Sequence, residues 1–274
     1  MQKQLTGLIV AFAALFVLFW ILQSLWPSVR GQRVLRSGFL TDCIYWLWTP
    51  IATRGLTAIA IGLVLFPLAA YYGMGLKDFL HGHGALARQP LWLQAMEIFV
   101  AGDFLGYWQH RIFHGRNLWR FHAIHHSSTE LDWLSSVRLH PVNDTVARLI
   151  AALPLVVAGF DTGVVAIYAP FITFCAIMVH ANLNWDYGPF RYVVASPTFH
   201  RWHHTSAEEG LDKNFSGGLP IWDLLFGTFY MPRDKQPEDF GISDAVPRGF
   251  VGQLLTPFRA AAPQSISRFT EETG

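Results

Sequence analysis

The sequence predicts an all-α integral-membrane fold, with about four to five transmembrane or hairpin helices and a histidine-rich helical cap gathered on one side. Three observations carry this. Hydrophobic residues make up 52% of 274 positions and charged ones only 14%, with 11 Trp, a balance that water-soluble domains rarely show. Apolar runs recur at or near the length needed to cross a bilayer. The twelve histidines cluster where the apolar runs end. The formal net charge of +1 gives no field to gather a polyanion, so nucleic acid is excluded as a partner. Cys43 and Cys175 stand alone in apolar settings, which excludes a disulfide framework and suits a reducing compartment.

In chain order, residues 5 to 27 run 23 positions without a charge, enough to span a hydrocarbon core of roughly 30 Å. The run is too long for a signal peptide and lacks a small-x-small cleavage site. Arg30, Arg33 and Arg36 follow and mark the cytoplasmic side, which puts Met1 outside. An aromatic interfacial piece, "YWLWTP", comes next. Residues 55 to 74 form a second span and 91 to 113 a third that grows polar toward its end. Residues 146 to 160 and 163 to 181, joined by the turn "GFDTG", read as a hairpin entering and leaving on one side. Counting crossings places residues 110 to 145, and everything after about 180, on the cytoplasmic side.

The histidines carry the chemistry. "HAIHH" holds His122, His125 and His126, and "HRWHH" repeats the spacing with His200, His203 and His204, while "HRIFH" sets His110 and His114 four apart. On a helix, positions i, i+3 and i+4 share a face, so both patterns bring imidazoles together. Adjacent histidines are about 100° apart around a helix and cannot aim at one point equally well. Two metal ions resolve this, one neighbour serving each. Imidazole without thiolate or clustered carboxylate favours Fe, Zn, Cu or Ni over Mg or Ca. A lone histidine near an apolar run is usually structural, which is the reading for His81 and His83. A duplicated box with a third alongside is not expected by chance.

Eight boxed residues supply at most four ligands per ion, so a ninth would complete a five-coordinate arrangement. His180, where the second hairpin helix emerges, is the candidate. His140 precedes Pro141, which biases it away from helical geometry, and it is read as a possible ligand or as support for one. Asp103, Glu130, Asp132, Asp144, Asp186 and Glu208 are candidate acceptors for the distal N–H of the ligating imidazoles. Asp103 lies inside an apolar span seven residues before His110, on nearly the same face.

The ordered set "HRIFH", "HAIHH", "RLHP", "HANLNWDYG" and "HRWHH", followed by "NFSGGLPIWDLLFGTFYMP", resembles the fatty acid hydroxylase and sterol desaturase superfamily of integral-membrane diiron enzymes. Among its members the bacterial sterol-desaturase-like proteins are the most similar. The resemblance covers roughly residues 40 to 235. It implies residues 1–40 as an N-terminal transmembrane helix and basic loop, 41–235 as the catalytic domain and 236–274 as a C-terminal tail. It also implies a dimetal centre of two Fe ions, O2 as co-substrate, an external electron donor, and as ligands His110, His114, His122, His125, His126, His180, His200, His203 and His204. Fatty acid 2-hydroxylases carry a further histidine four residues after the position of His180. Here that residue is Asn184, a weak ligand that suggests a water bridge or an open coordination position. No segment resembles a haem-binding cytochrome b5-like domain, so electrons are expected from a separate protein, a ferredoxin or a cytochrome b5-like carrier with its reductase. The implied location is a bacterial inner membrane, with the histidines facing the cytoplasm.

The implied activity is O2-dependent hydroxylation or desaturation of a lipid C–H bond, in a fatty acyl chain, sterol or hopanoid, carotenoid or ether lipid. Such a bond is too strong for a side-chain base, and a redox metal must act on it. Two other classes compete. A membrane zinc hydrolase would keep fewer ligands and a general-base carboxylate as in H-E-x-x-H, which is absent from the sequence. A non-catalytic metal carrier would place its ligands along the spans rather than at helix ends.

Overall fold

The computed structural model describes residues 2–243 and 246–259, and the final stretch of the expected C-terminal tail lies outside these. Among the described residues the regular secondary structure is helical, apart from one isolated bridge between Thr205 and Phe240. Helix α1 covers Gln2–Leu25, α2 Phe39–Tyr71, the short α3 Leu76–Leu80 and α4 Leu91–Phe113. Then come α5 at Trp119–His126, α6 at Pro141–Ala158, α7 at Thr162–His180 and α8 at Pro197–His203. Two short helices, α9 at Ile221–Leu225 and α10 at Phe250–Leu255, complete the set.

Four of these helices, α1, α2, α6 and α7, are long and apolar enough to cross a membrane. Their surfaces expose large apolar side chains such as Ile9, Leu63, Phe66 and Ile167, as lipid-facing helices do. Helix α4, expected as a span, is not among them. Gln94, Glu97, Asp103, His110 and Arg111 interrupt its apolar character. It lies against both α6 and α7, where polar groups find protein partners.

Two further expectations change. The "YWLWTP" piece and the second span are one continuous helix of 33 residues, with Pro50 and Pro67 inside it. Such a helix is roughly 50 Å long, well beyond a bilayer core, and its first half buries Thr41, Asp42, Tyr45 and Thr49 within the cap. The pair α6 and α7 is joined by the expected turn, with Gly159 at φ 110° and Asp161 capping α7 through Gly163 N–H. The two do not pack chiefly on each other: α6 lies on α4 and α2, and α7 on α4, α8 and the 3-10 turn Trp133–Val137.

The cap is pinned to the spans by Phe19, Trp46, Trp133, Leu134, Ile177, Ala181 and Leu183, which form one buried cluster. Phe19 and Trp133 stack with centroids 5.6 Å apart. Helix α10 returns to the start of α2, where Phe250 meets Tyr45 edge-on at 4.9 Å.

Candidate metal centre

Four elements deliver the histidines. Helix α4 carries His110 in its last turn with His114 as its cap, and a turn over Gly115–Leu118 starts α5, which carries His122, His125 and His126. His180 is the last residue of α7. Helix α8 is launched by Ser196, whose Oγ accepts from Phe199 N–H, with Pro197 in the first turn. This is a strong local start signal, and it sets His200, His203 and His204 on one turn and a half.

The side chains meet in two groups. His110, His114, His122, His126 and His203 form the first, and His125, His180, His200 and His204 the second, with ligand atoms in each group within 4.8 Å of one another. Each H-x-x-H-H box is therefore divided. His122 and His126 enter the first group and send His125 to the second, whereas His200 and His204 enter the second and send His203 to the first.

The supporting hydrogen bonds decide the protonation. Nδ1–H of His110 donates to the Phe215 carbonyl at 2.7 Å, that of His203 to Lys213 at 2.7 Å and that of His125 to Arg138 at 3.3 Å. His180 donates to the Ala176 carbonyl, and His122 to Asn143 Oδ1 at 2.8 Å. A carbonyl oxygen only accepts, so the proton of each ring sits on Nδ1 and Nε2 is a bare lone pair. Those lone pairs nevertheless face one another. His110 and His122 Nε2 are 3.1 Å apart, His126 and His203 3.1 Å, His125 and His180 3.0 Å, and His180 and His204 3.1 Å. Between His110 and His122, and between His125 and His180, no proton is available, so these contacts repel, and a cation at the centre of each group would turn repulsion into coordination. Imidazole–metal bonds of roughly 2.0–2.1 Å place ligands at right angles about 3.0 Å apart, which matches these spacings. The donor set thus suits two metal ions.

Burial, then mutual repulsion, push His122, His125, His126, His200, His203 and His204 well below the ordinary imidazole pKa. All six are therefore neutral and available as ligands at neutral pH.

Several candidates stand elsewhere. His140 caps α6, its Nδ1 accepting from Val142 N–H and its Nε2–H donating to the Leu254 carbonyl at 3.2 Å. Both ring nitrogens are engaged away from the two groups. Asn184 is exposed and bonds through its backbone to Trp26. The chain leaves α7 in an extended conformation at Ala181, so the position four after His180 is not one helical turn above it. Asp103 accepts from Leu219 N–H and Trp222 Nε1–H and so anchors the loop that supplies the Phe215 carbonyl. Asp132 caps the Trp133–Val137 turn and pairs with Arg36. Asp144 pairs with Arg148, Asp186 accepts from Gly188 N–H and Glu130 from Ser37 N–H, while Glu208 opens a short 3-10 turn.

The partners that do reach the rings escaped the sequence reading. Asp212 Oδ1 lies 3.0 Å from His114 Nδ1, and Asn143 holds His122. The one local sign at Asp212 is its φ of 56°, shared with Asn214 at 58°, in the polar run "LDKN". A buried quartet braces the cap. Asp42 takes Arg36 at 2.7 Å and Arg138 at 2.6 Å, and Asp132 takes Arg36. Burial alone would lower the Arg36 pKa, but the Asp132 and Asp42 carboxylates hold it above its ordinary value.

An α-helical frame apolar enough to span a membrane, with nine imidazoles converging on two points that could each hold a metal ion, is the arrangement of the histidine-box class of membrane enzymes. The comparisons with known proteins make this specific. The fatty acid hydroxylase family model matches residues 95–228. The ornithine lipid hydroxylase OlsE of Rhizobium tropici is 30% identical over 250 residues, covering 91% of this chain and 73% of that protein. The alkylglycerol monooxygenase of Danio rerio is 35% identical over 138 residues, 50% of this chain and 30% of its own. The very-long-chain aldehyde decarbonylase GL1-5 of Oryza sativa subsp. indica is 33% identical over 241 residues, 80% of this chain and 35% of its own. The chain thus spans about a third of the latter two relatives. No solved structure matches. The chain belongs to the fatty acid hydroxylase family and is an oxygenase enzyme of that family.

Proposed function

We propose that the protein is a diiron oxygenase that hydroxylates a C–H bond of a polar membrane lipid. The observation that carries this is the convergence of nine imidazoles in groups of five and four, at least five of them through bare Nε2 atoms. Catalytic zinc sites use about three protein ligands and an open position, and structural zinc takes about four, whereas the first group alone offers five. A redox metal of higher coordination number suits that donor count better. His110, His114, His122, His126 and His203 would hold one iron and His125, His180, His200 and His204 the other. Iron bound there would supply the O2-dependent redox chemistry that no side chain can.

The protein's own contribution is placement. Carbonyls of Phe215, Lys213, Arg138 and Ala176 fix the ring orientations, and Asp212 and Asn143 add two more fixed acceptors. Relatives named as a lipid hydroxylase and a monooxygenase favour hydroxylation over desaturation. The arginine-bearing loop favours a bacterial inner membrane with the cap in the cytoplasm, where a ferredoxin or cytochrome b5-like carrier would deliver electrons.

The test is metal analysis of protein purified anaerobically, with lipid mass spectrometry of cells with and without it. Two irons per chain and a lipid gaining one oxygen atom are expected. Zinc alone, with hydrolytic products, would overturn the assignment.

A further inference from the structure

A cavity of about 310 Å³ lies where α1 leaves the membrane, between the end of that helix, the loop at residues 27–34, the start of α2 and the Trp133 turn. Its two ends differ in chemistry. Phe16, Trp20, Phe39 and Trp133 form an apolar part. Gln23, Gln32, Arg33, Asp132 and Asn182 form a polar part. Phe16 lies seven residues before Gln23 on α1, about 10 Å deeper along the helix. The gradient therefore runs from hydrocarbon depth to headgroup depth, as an amphiphile does.

The polar end is set up for an anion. The Asp132 carboxylate is taken up by Arg36 and by the N–H groups of Leu134 and Ser135, and Asn182 is engaged with Val29 through both its carbonyl and its amide. Arg33 is exposed and, among the described residues, forms no ion pair. Its guanidinium is the free charge at the rim, with a fork geometry suited to phosphate or carboxylate.

The cavity is tied to the elements that carry the second histidine group. Asn182 is two residues beyond His180. The Leu131 carbonyl accepts from Gln32 at the rim and from the fully buried Arg201, which stands between His200 and His203 on α8.

We infer that this cavity holds the anionic head of the lipid substrate, a phosphate or carboxylate bound by Arg33, with a chain lying along Phe16 and Trp20. The inference rests on the lipid-oxygenase reading and names the group by which its substrate is selected.

The test uses full-length, iron-loaded protein in detergent, with fluorescently labelled phosphatidic acid, the matching labelled diacylglycerol and inorganic phosphate as probes. Phosphatidic acid is expected to bind more tightly than diacylglycerol, and Arg33→Gln to weaken it about tenfold, the loss of one charge-assisted contact. Arg30→Gln, an exposed arginine that does not line the cavity, is expected to leave binding unchanged, and Ser24→Trp, which fills the cavity, to reduce binding of both lipids. Equal loss in the two arginine variants would mean general surface attraction and would overturn the site. Displacement of the lipid by inorganic phosphate at matching concentration would also overturn it, leaving a free-anion site. In turnover, Arg33→Gln is expected to raise KM with kcat unchanged, and an unchanged KM would refute the inference with the oxygenase reading intact. If the native protein oxidises no lipid while the Arg33 dependence of binding persists, the oxygenase reading fails and the lipid site stands.

Discussion

Replacing Asp42 by Asn tests how the cap is held. Asp42 accepts from Arg36 Nη2 at 2.7 Å and from Arg138 Nε and Nη2 at 2.6 and 2.9 Å, and its own side chain is fully buried. Arg36, Arg138, Asp42 and Asp132 sum to zero charge, so the amide leaves one buried positive charge without compensation. Removing one partner of a buried pair costs about 3–5 kcal/mol. The Asn oxygen still accepts one of the three bonds, so the lower end, about 3 kcal/mol, is expected. For a chain of this size that is a fall of about 6–12 °C in Tm. Tryptophan fluorescence during heating in detergent micelles reads this directly. The effect should reach the metals, because the Arg138 carbonyl accepts from His125 Nδ1, and iron content should fall with Tm. A variant melting within a degree of the native protein, with full iron, would mean that water reaches the quartet and the charge accounting is wrong.

Three further outcomes follow from the site. Asp212→Asn weakens the acceptor of His114 Nδ1 and should lower metal affinity or activity about 10–100-fold, measured by chelator competition. His126→Ala should lose iron from the first group, whereas His140→Ala and Asn184→Ala should retain two irons per chain, and depletion by either of the latter would return that residue to the ligand set. Metal retention should depend on pH in one direction: burial lowers the pKa of the six cap histidines below their unfolded value of 6.5. The unfolded chain takes up protons that the folded one does not, so stability is full above 6.5 and is lost as pH falls below it. Acid and chelator should act together in thermal unfolding, and a stability flat down to about pH 4.5 would refute the burial of these rings.

By itself the sequence determined whatever depends on local period. Apolar runs of spanning length, the arginine loop and the turn at Gly159 are written within a few residues of where they act. So are the i, i+4 pairs His110–His114, His122–His126 and His200–His204, and the awkward adjacency of His125 and His126 that asks for two ions. Tertiary structure alone decided which groups complete the rings. Asp212 meets His114 across 98 positions, Phe215 meets His110 across 105, and Arg138 meets Asp42 across 96. Such pairs leave no periodic trace, because they are set by how α4, α5 and α8 dock rather than by the turn of any one helix. The same reason explains why Asp103, on the right face of α4 by count, serves a loop instead of a histidine. Helical periodicity fixes the direction in which a side chain points, and only the packed neighbours determine what it meets there.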